Sequence, residues 1–305
     1  MKLKKPMEDK LTLGIAGLRF SISCDDKIEL KALHPVYKSF SEKARNGERE
    51  LNINVSFELG EMPSTENHTK IFQNADTWSL YRDNEWYYLK FFPKVFNHPL
   101  WLAKASHDFA KITIFCGEKL INKKNGRTLL SNPLCYPLDQ LLLIHILSQH
   151  EGALIHCACT NINGKGFIFP GRSRAGKSTL MRQFAGTKDV ELLTDDRAVV
   201  RKINDSFKAY GTPWPGEENI ALNKSVPLTD IFFISHGSSN TIHELSPQEA
   251  LKRLLPVTSI PWYHPEIMHK VLDFCEDLIL NIPAHELSFK PTIEVVDVLK
   301  DFAST

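Results

Sequence analysis

Apolar and polar positions divide the chain into two parts with different rhythms. Period-two alternation dominates the first. LTLGIAGLRFSIS, over residues 11–23, alternates and predicts strand, as does Leu51–Leu59. Trp78–Tyr81 and Trp86–Phe92 are aromatic runs flanking Asp83-Asn84, the pattern of a β-hairpin. The polar stretch 61–76 reads as loop, and the turn-rich segment 121–134 as a connection. Residues 1–130 are therefore expected to form a β-rich α+β domain, and its sequence carries no chemical motif.

Beyond residue 130 the period alternates between helix and strand. Leu138–Gln149 predicts a helix with Leu141, Ile144, His145 and Ser148 on one face. Gly152–Ile162 and Gly166–Phe169 predict strands around a turn at Asn163–Gly166. A helix over Lys177–Phe184, a strand over Glu191–Leu193, and a hairpin of Ala198–Ile203 with Phe207–Tyr210 follow. Ile231–Ser235 and Thr241–Leu245 read as a further hairpin. Ser246-Pro247-Gln248-Glu249 is a capping box that starts a helix. Ile267, Val271, Phe274 and Leu278 stripe one side of Pro265–Leu278. This alternation predicts an α/β domain with a mixed sheet over residues 131–305.

Composition narrows the class. Hydrophobic residues make up 42% and charged residues 24% of the chain, which excludes a disordered, collagenous or coiled-coil protein. Thirty-seven Lys and Arg against 36 Asp and Glu leave +1, so no global field favours nucleic acid or membrane, and neither is expected as a partner. The longest apolar run, Leu141–Leu147, contains His145 and falls far short of the ~20 residues of a bilayer span. The lysine-containing start, MKLKKPMEDK, does not read as a signal peptide. The cysteines at 24, 116, 135, 157, 159 and 275 then read as reduced thiols, and the expected compartment is the cytoplasm.

The strongest chemical signal is Gly171-Arg172-Ser173-Arg174-Ala175-Gly176-Lys177-Ser178, which fits G-x-x-x-x-G-K-[ST] between a predicted strand and a predicted helix. Such a loop wraps backbone N–H groups around a β-phosphate, and the following helix adds its positive end. Lys177 can reach β- and γ-oxygens, and the Ser178 hydroxyl can ligate Mg²⁺. The binding segment is taken as Gly171–Thr179, with ATP and Mg²⁺ as the expected ligands. Leu192-Leu193-Thr194-Asp195-Asp196 brings two carboxylates 18 and 19 positions after Lys177, room for one helix and one turn. One could hold Mg²⁺ and the other accept a proton from an attacking hydroxyl. An Asp-Asp turn after a strand is the plain alternative.

These residues resemble the HPr kinase/phosphorylase superfamily, in its divergent HPr-kinase-like branch. The resemblance spans roughly residues 150–300 and rests on Leu154-Ile155-His156, Phe167–Thr179 and Leu192–Asp196, in that order. The family loop reads G-x-S-G-x-G-K-S, which Gly171, Ser173, Gly176, Lys177 and Ser178 match. The resemblance implies a P-loop kinase domain whose mixed sheet is of HPr-kinase type. It implies that Asp195 activates an acceptor hydroxyl and Asp196 helps hold the metal, an assignment open to reversal. Arg174 replaces a loop glycine, a change expected to be tolerated only at negative φ. The family's Glu-x-Arg-Gly segment is absent. Tyr210-Gly211-Thr212-Pro213-Trp214-Pro215-Gly216-Glu217 stands in that region, and a similar stretch occurs in the divergent branch. These departures point away from HPr itself and towards another protein or peptide bearing Ser or Thr.

Two weaker signals remain. His156 with Cys157 and Cys159 suggests zinc, but no second cysteine pair lies at finger spacing. A buried structural histidine and an active-site role stay open for it. Glu217 either sits in a rigid Pro/Gly turn or reaches the nucleotide to bind metal or orient the acceptor. The expected activity is a serine/threonine kinase. A nucleotide-binding regulator without transfer and a hydrolysing P-loop ATPase are the alternatives.

Overall fold

The structure is a computed structural model that describes residues 9–41, 51–75, 77–96, 98–124 and 126–304. The first eight residues of the lysine-containing start, Asp76 of the predicted loop and Asn125 of the predicted connection lie outside these. The chain divides into two compact units, Met1–Leu142 and Leu143–Thr305. Both are built on sheets, and the architecture is α/β with mixed sheets and more strand than helix.

The first unit holds β1 (Asp9–Ile15), β2 (Leu18–Ser23), β3 (Ile28–Leu30), β4 (Leu51–Leu59), β5 (Thr69–Asn74), β6 (Trp78–Arg82), β7 (Trp86–Phe91), β8 (Trp101–Ser106), β9 (Lys111–Cys116), β10 (Ile121–Lys124) and β11 (Arg127–Leu130). Eight of them form one sheet in the order β1-β2-β4-β9-β8-β7-β6-β5, and β10, β11 and β3 form a small second sheet. The run over residues 11–23 is two strands rather than one, because Ala16 and Gly17 adopt φ of 54° and 72° and turn the chain back. The hairpin of β6 and β7 forms as its sequence predicts. Asp83 accepts hydrogen bonds from the amides of Glu85 (2.8 Å) and Trp86 (2.7 Å), which fixes the turn. The stretch 61–76 contains β5, and 121–134 contains the hairpin of β10 and β11. Both were expected to be loop. β5 is an exposed edge strand with no buried face, so its sequence shows no apolar alternation.

The helix α1 (Leu138–Ser148) carries the chain across the boundary between the units. The second unit then holds β12 (Gly152–Ile162), β13 (Lys165–Pro170), α2 (Lys177–Phe184), β14 (Val190–Thr194), β15 (Arg197–Ile203), β16 (Ser206–Tyr210), β17 (Ser225–His236), β18 (Thr241–Glu244), α3 (Pro247–Leu254), α4 (Pro265–Asn281), β19 (Ala284–Phe289) and α5 (Glu294–Ser304). The sheet runs β13-β12-β15-β16-β17-β19-β18, with β14 beside β12 and a further parallel pairing of β13 with β17. The last predicted hairpin does not form. β19 returns after α4 and inserts between β17 and β18, parallel to one and antiparallel to the other. Such a crossover needs a long connection, which α3 and α4 supply.

Apolar layers cover this sheet on both faces. Ile155, Cys157 and Cys159 of β12 pack with Leu254 of α3 and with Val271, Phe274 and Leu278 of α4. Ala158 and Ile162 of the same strand pack with Leu180, Met181 and Phe184 of α2 and with Val295 and Leu299 of α5. Burial on both faces explains the near-continuous apolar runs of β12, β13 and β17. Full burial of a side chain such as Phe184 contributes about 1.5–3 kcal/mol of transfer free energy. Among the described residues, no helix is long and apolar enough to cross a membrane.

Candidate functional site

The candidate site forms where β13 ends and α2 begins. The strand leaves the sheet at Pro170, and Gly171 donates its amide to the carbonyl of His156 at 3.1 Å. The loop then turns twice through left-handed backbone. Gly176 caps α2 with φ of 102°, a conformation L side chains rarely adopt. Arg174 has φ of 69°, contrary to the expectation that a side chain here requires negative φ. The side chain is tolerated because it stands exposed at the loop surface, at a conformational cost of about 1–2 kcal/mol.

This geometry prepares an anion cradle. Among the described residues the amides of Lys177, Ser178 and Thr179 find no acceptor, while Leu180 already donates to Gly176 at 2.9 Å. The first turn of α2 carries no acidic residue that would compete for them. Lys177 is only 6% exposed, and its Nζ donates to the carbonyls of Gly171 (2.7 Å) and Arg172 (3.1 Å). Burial holds its pKa below the ordinary lysine value of 10.5, although the Asp196 and Asp195 carboxylates favour the charged form. Arg172, Ser173 and Arg174 are exposed, and Ser178 and Thr179 are half-buried at the start of the helix.

The two aspartates after β14 have separate surroundings. Asp195 is 2% exposed. Its carboxylate accepts the amides of Gly216 (2.8 Å), Glu218 (2.7 Å) and Ile220 (3.3 Å), and so ties down the loop that follows Trp214-Pro215. Gly216 is required by this approach, since a Cβ there would lie 2.8 Å from Asp195 Oδ2. Asp196 is a third exposed. It meets His156 Nε2 at 3.0 Å and Arg197 Nε at 3.5 Å. Burial pushes its pKa up, but the His156 hydrogen bond, Arg197 and Lys177 overcome this and hold it below the ordinary carboxylate range.

The structure thus brings His156, Lys177, Ser178 and Asp196 to one end of the sheet. Glu217 stands apart: its side chain is 81% exposed and lies 4.0 Å from Arg182, whose Nε pairs with Glu218 at 2.8 Å. His156 does not join Cys157 and Cys159. Successive strand residues face opposite ways, and both cysteines lie in the layer beneath α3 and α4. All six cysteines are free, and burial pushes the Cys157 thiol up to about 12, so it is neutral. Among the described residues no group of three or more His, Cys, Asp or Glu could hold a metal ion. Mg²⁺ needs no such group, because phosphates and water supply most of its ligands. The Ser178 hydroxyl and the ionised Asp196 carboxylate fit that demand.

Sequence reasoning missed the parts played by Arg197 and Gly216. Arg197 follows the acidic pair directly, and an adjacent cation was the available signal. For Gly216 there was none, because its constraint is a carboxylate distant in sequence. No family model matches the chain, and none of the curated proteins matches it.

Proposed function

We propose that the chain is an ATP-dependent phosphotransferase acting on a serine or threonine hydroxyl of a protein or peptide other than HPr. The observation that carries this reading is the meeting of Lys177, Asp196 and His156 beside a loop whose amides are free to take phosphate. In this reading the triphosphate lies along Gly171–Thr179, held by loop amides and the positive end of α2. Lys177 exchanges its loop carbonyls for β- and γ-oxygens. Ser178 and Asp196 would hold Mg²⁺, which neutralises charge on the phosphate oxygens when bound.

The acceptor oxygen forms a bond to the γ-phosphorus as the bond to the bridging oxygen of ADP breaks. The hydroxyl proton passes to His156, whose ring Asp196 orients through Nε2, assistance worth about 10²–10⁴-fold in rate. Asp195 takes a different part from the one the family resemblance implies. Its oxygens are engaged by three amides, so it positions the loop from Gly216 to Ile220 rather than meeting the acceptor.

The test uses γ-labelled ATP, the full chain and an array of Ser- and Thr-containing peptides. Label on a peptide hydroxyl is the expected result, lost in Asp196→Asn. Label released only as inorganic phosphate would replace the reading with an ATPase. Bound but unreacted ATP would replace it with a nucleotide-dependent regulator.

A further inference from the structure

The first unit carries a cleft that the nucleotide site leaves unused. It has a volume of about 360 Å³ and opens at the edge of the large sheet, over β5, β6 and β7. Register builds it. Gln73 lies opposite Ser79, and Ser79 opposite Lys90, so one row of side chains crosses three strands on the same face. Lys70 lies opposite Tyr81 in the neighbouring row. Half-buried Tyr81 and Phe92, on the same face as this row, add planar walls.

Among the described residues, the charges in this cleft are one-sided. Lys70 Nζ stands 5.7 Å from the centre of the Tyr81 ring and donates to Gln73 Oε1 at 2.9 Å. Lys90 Nζ stands 6.0 Å from the Phe92 ring. Among the described residues neither lysine has a carboxylate partner, and the residues lining the cleft include no acid. Two ammonium groups that share one concave surface repel each other, and an anion between them relieves that repulsion. A cationic guest is disfavoured twice over: it would meet like charge, and ammonium groups already stand against the Tyr81 and Phe92 rings.

We infer that this cleft binds a small planar organic anion, an aromatic carboxylate being the simplest member of the class. The volume is within the range of small-molecule pockets, and the lining sets the polar side chains of Lys70, Gln73, Ser79 and Lys90 beside the Tyr81 and Phe92 rings. The lysines supply the charge recognition, Gln73 supplies a neutral amide, and the rings supply stacking surface. The inference does not depend on phosphoryl transfer elsewhere in the chain.

The experiment is saturation-transfer NMR on the full chain with three probes: indole-3-acetate, tryptamine and acetate. Indole-3-acetate should bind. Tryptamine, with the same ring and opposite charge, should bind at least ~10-fold more weakly, and acetate, without the ring, should show no saturable binding. The double substitution Lys70→Gln with Lys90→Gln should weaken indole-3-acetate at least ~10-fold, and Lys70→Arg with Lys90→Arg should retain it. Circular dichroism confirms that each variant is folded. Equal binding of tryptamine, wild-type affinity in the glutamine variant, or no binding at millimolar probe would each overturn the inference.

Discussion

Arg174 is the residue at which local conformation and chemistry pull hardest against each other. A left-handed backbone favours glycine, yet this position holds an arginine on the loop between β13 and α2. Arg174→Gly removes about 1–2 kcal/mol of strain. It also frees the unfolded chain, which gives back roughly 0.4–1 kcal/mol. The net expectation is a gain of about 0.5–1 kcal/mol, read as a higher urea midpoint with an unchanged slope. A lower midpoint would mean that the side chain makes contacts that outweigh the strain. The adjacent aspartates should separate in the same assay. Asp195→Asn leaves an amide group facing backbone N–H donors and should cost about 1–3 kcal/mol. Asp196→Asn should act mainly on pH dependence. The folded pKa of Asp196 is lowered, so its stabilisation is fully present above the unfolded carboxylate value of about 4 and is lost as the pH falls below it. Wild type should therefore lose stability between about pH 4 and lower pH more steeply than Asp196→Asn, and parallel curves would contradict the pairing with His156. The sequence made the loop and the acidic pair legible because their spacing is local. It could not divide the pair, since the partners of Asp195 are amides 21, 23 and 25 residues further on.

At the scale of elements, α2 joins the site to the core. Its first turn offers amides to an anion, while Leu180, Met181 and Phe184 on its buried face hold it against β12, β13 and α5. Phe184→Ala should cost about 3–5 kcal/mol in a denaturant titration, by leaving a cavity among Phe169 and its neighbours. A loss under 1 kcal/mol would show that the helix is not fixed by this face. Elements with a strong period were readable: the helix over Lys177–Phe184 and the strands over Leu51–Leu59 and Gly152–Ile162 appear with the bounds that their patterns predict. Elements whose stability comes from a partner were not. β5 and the β10–β11 pair are short and polar, and only neighbouring strands define them. The neighbours β17 and β18 resembled a hairpin because nothing local in their sequences marks the later insertion of β19.

For the whole molecule, a net charge of +1 spreads no strong field, so recognition rests on local arrangements. One is the cationic cleft of the first unit. The other is the loop of the second, where a 6% exposed lysine, orphaned helix amides and an ionised aspartate gather at the end of a sheet covered on both faces. The central claim is that this second arrangement binds a triphosphate. Titration calorimetry of the full chain with Mg·ATP tests it most directly, with Lys177→Ala alongside. Lys177 lies at the loop end of α2 and its Nζ bonds only loop carbonyls, so the variant should fold while losing the cation that meets the phosphates. Saturable binding by the wild type, weakened at least ~10-fold in Lys177→Ala, is the predicted result. No binding by the wild type, or equal affinity in the two proteins, would contradict the account.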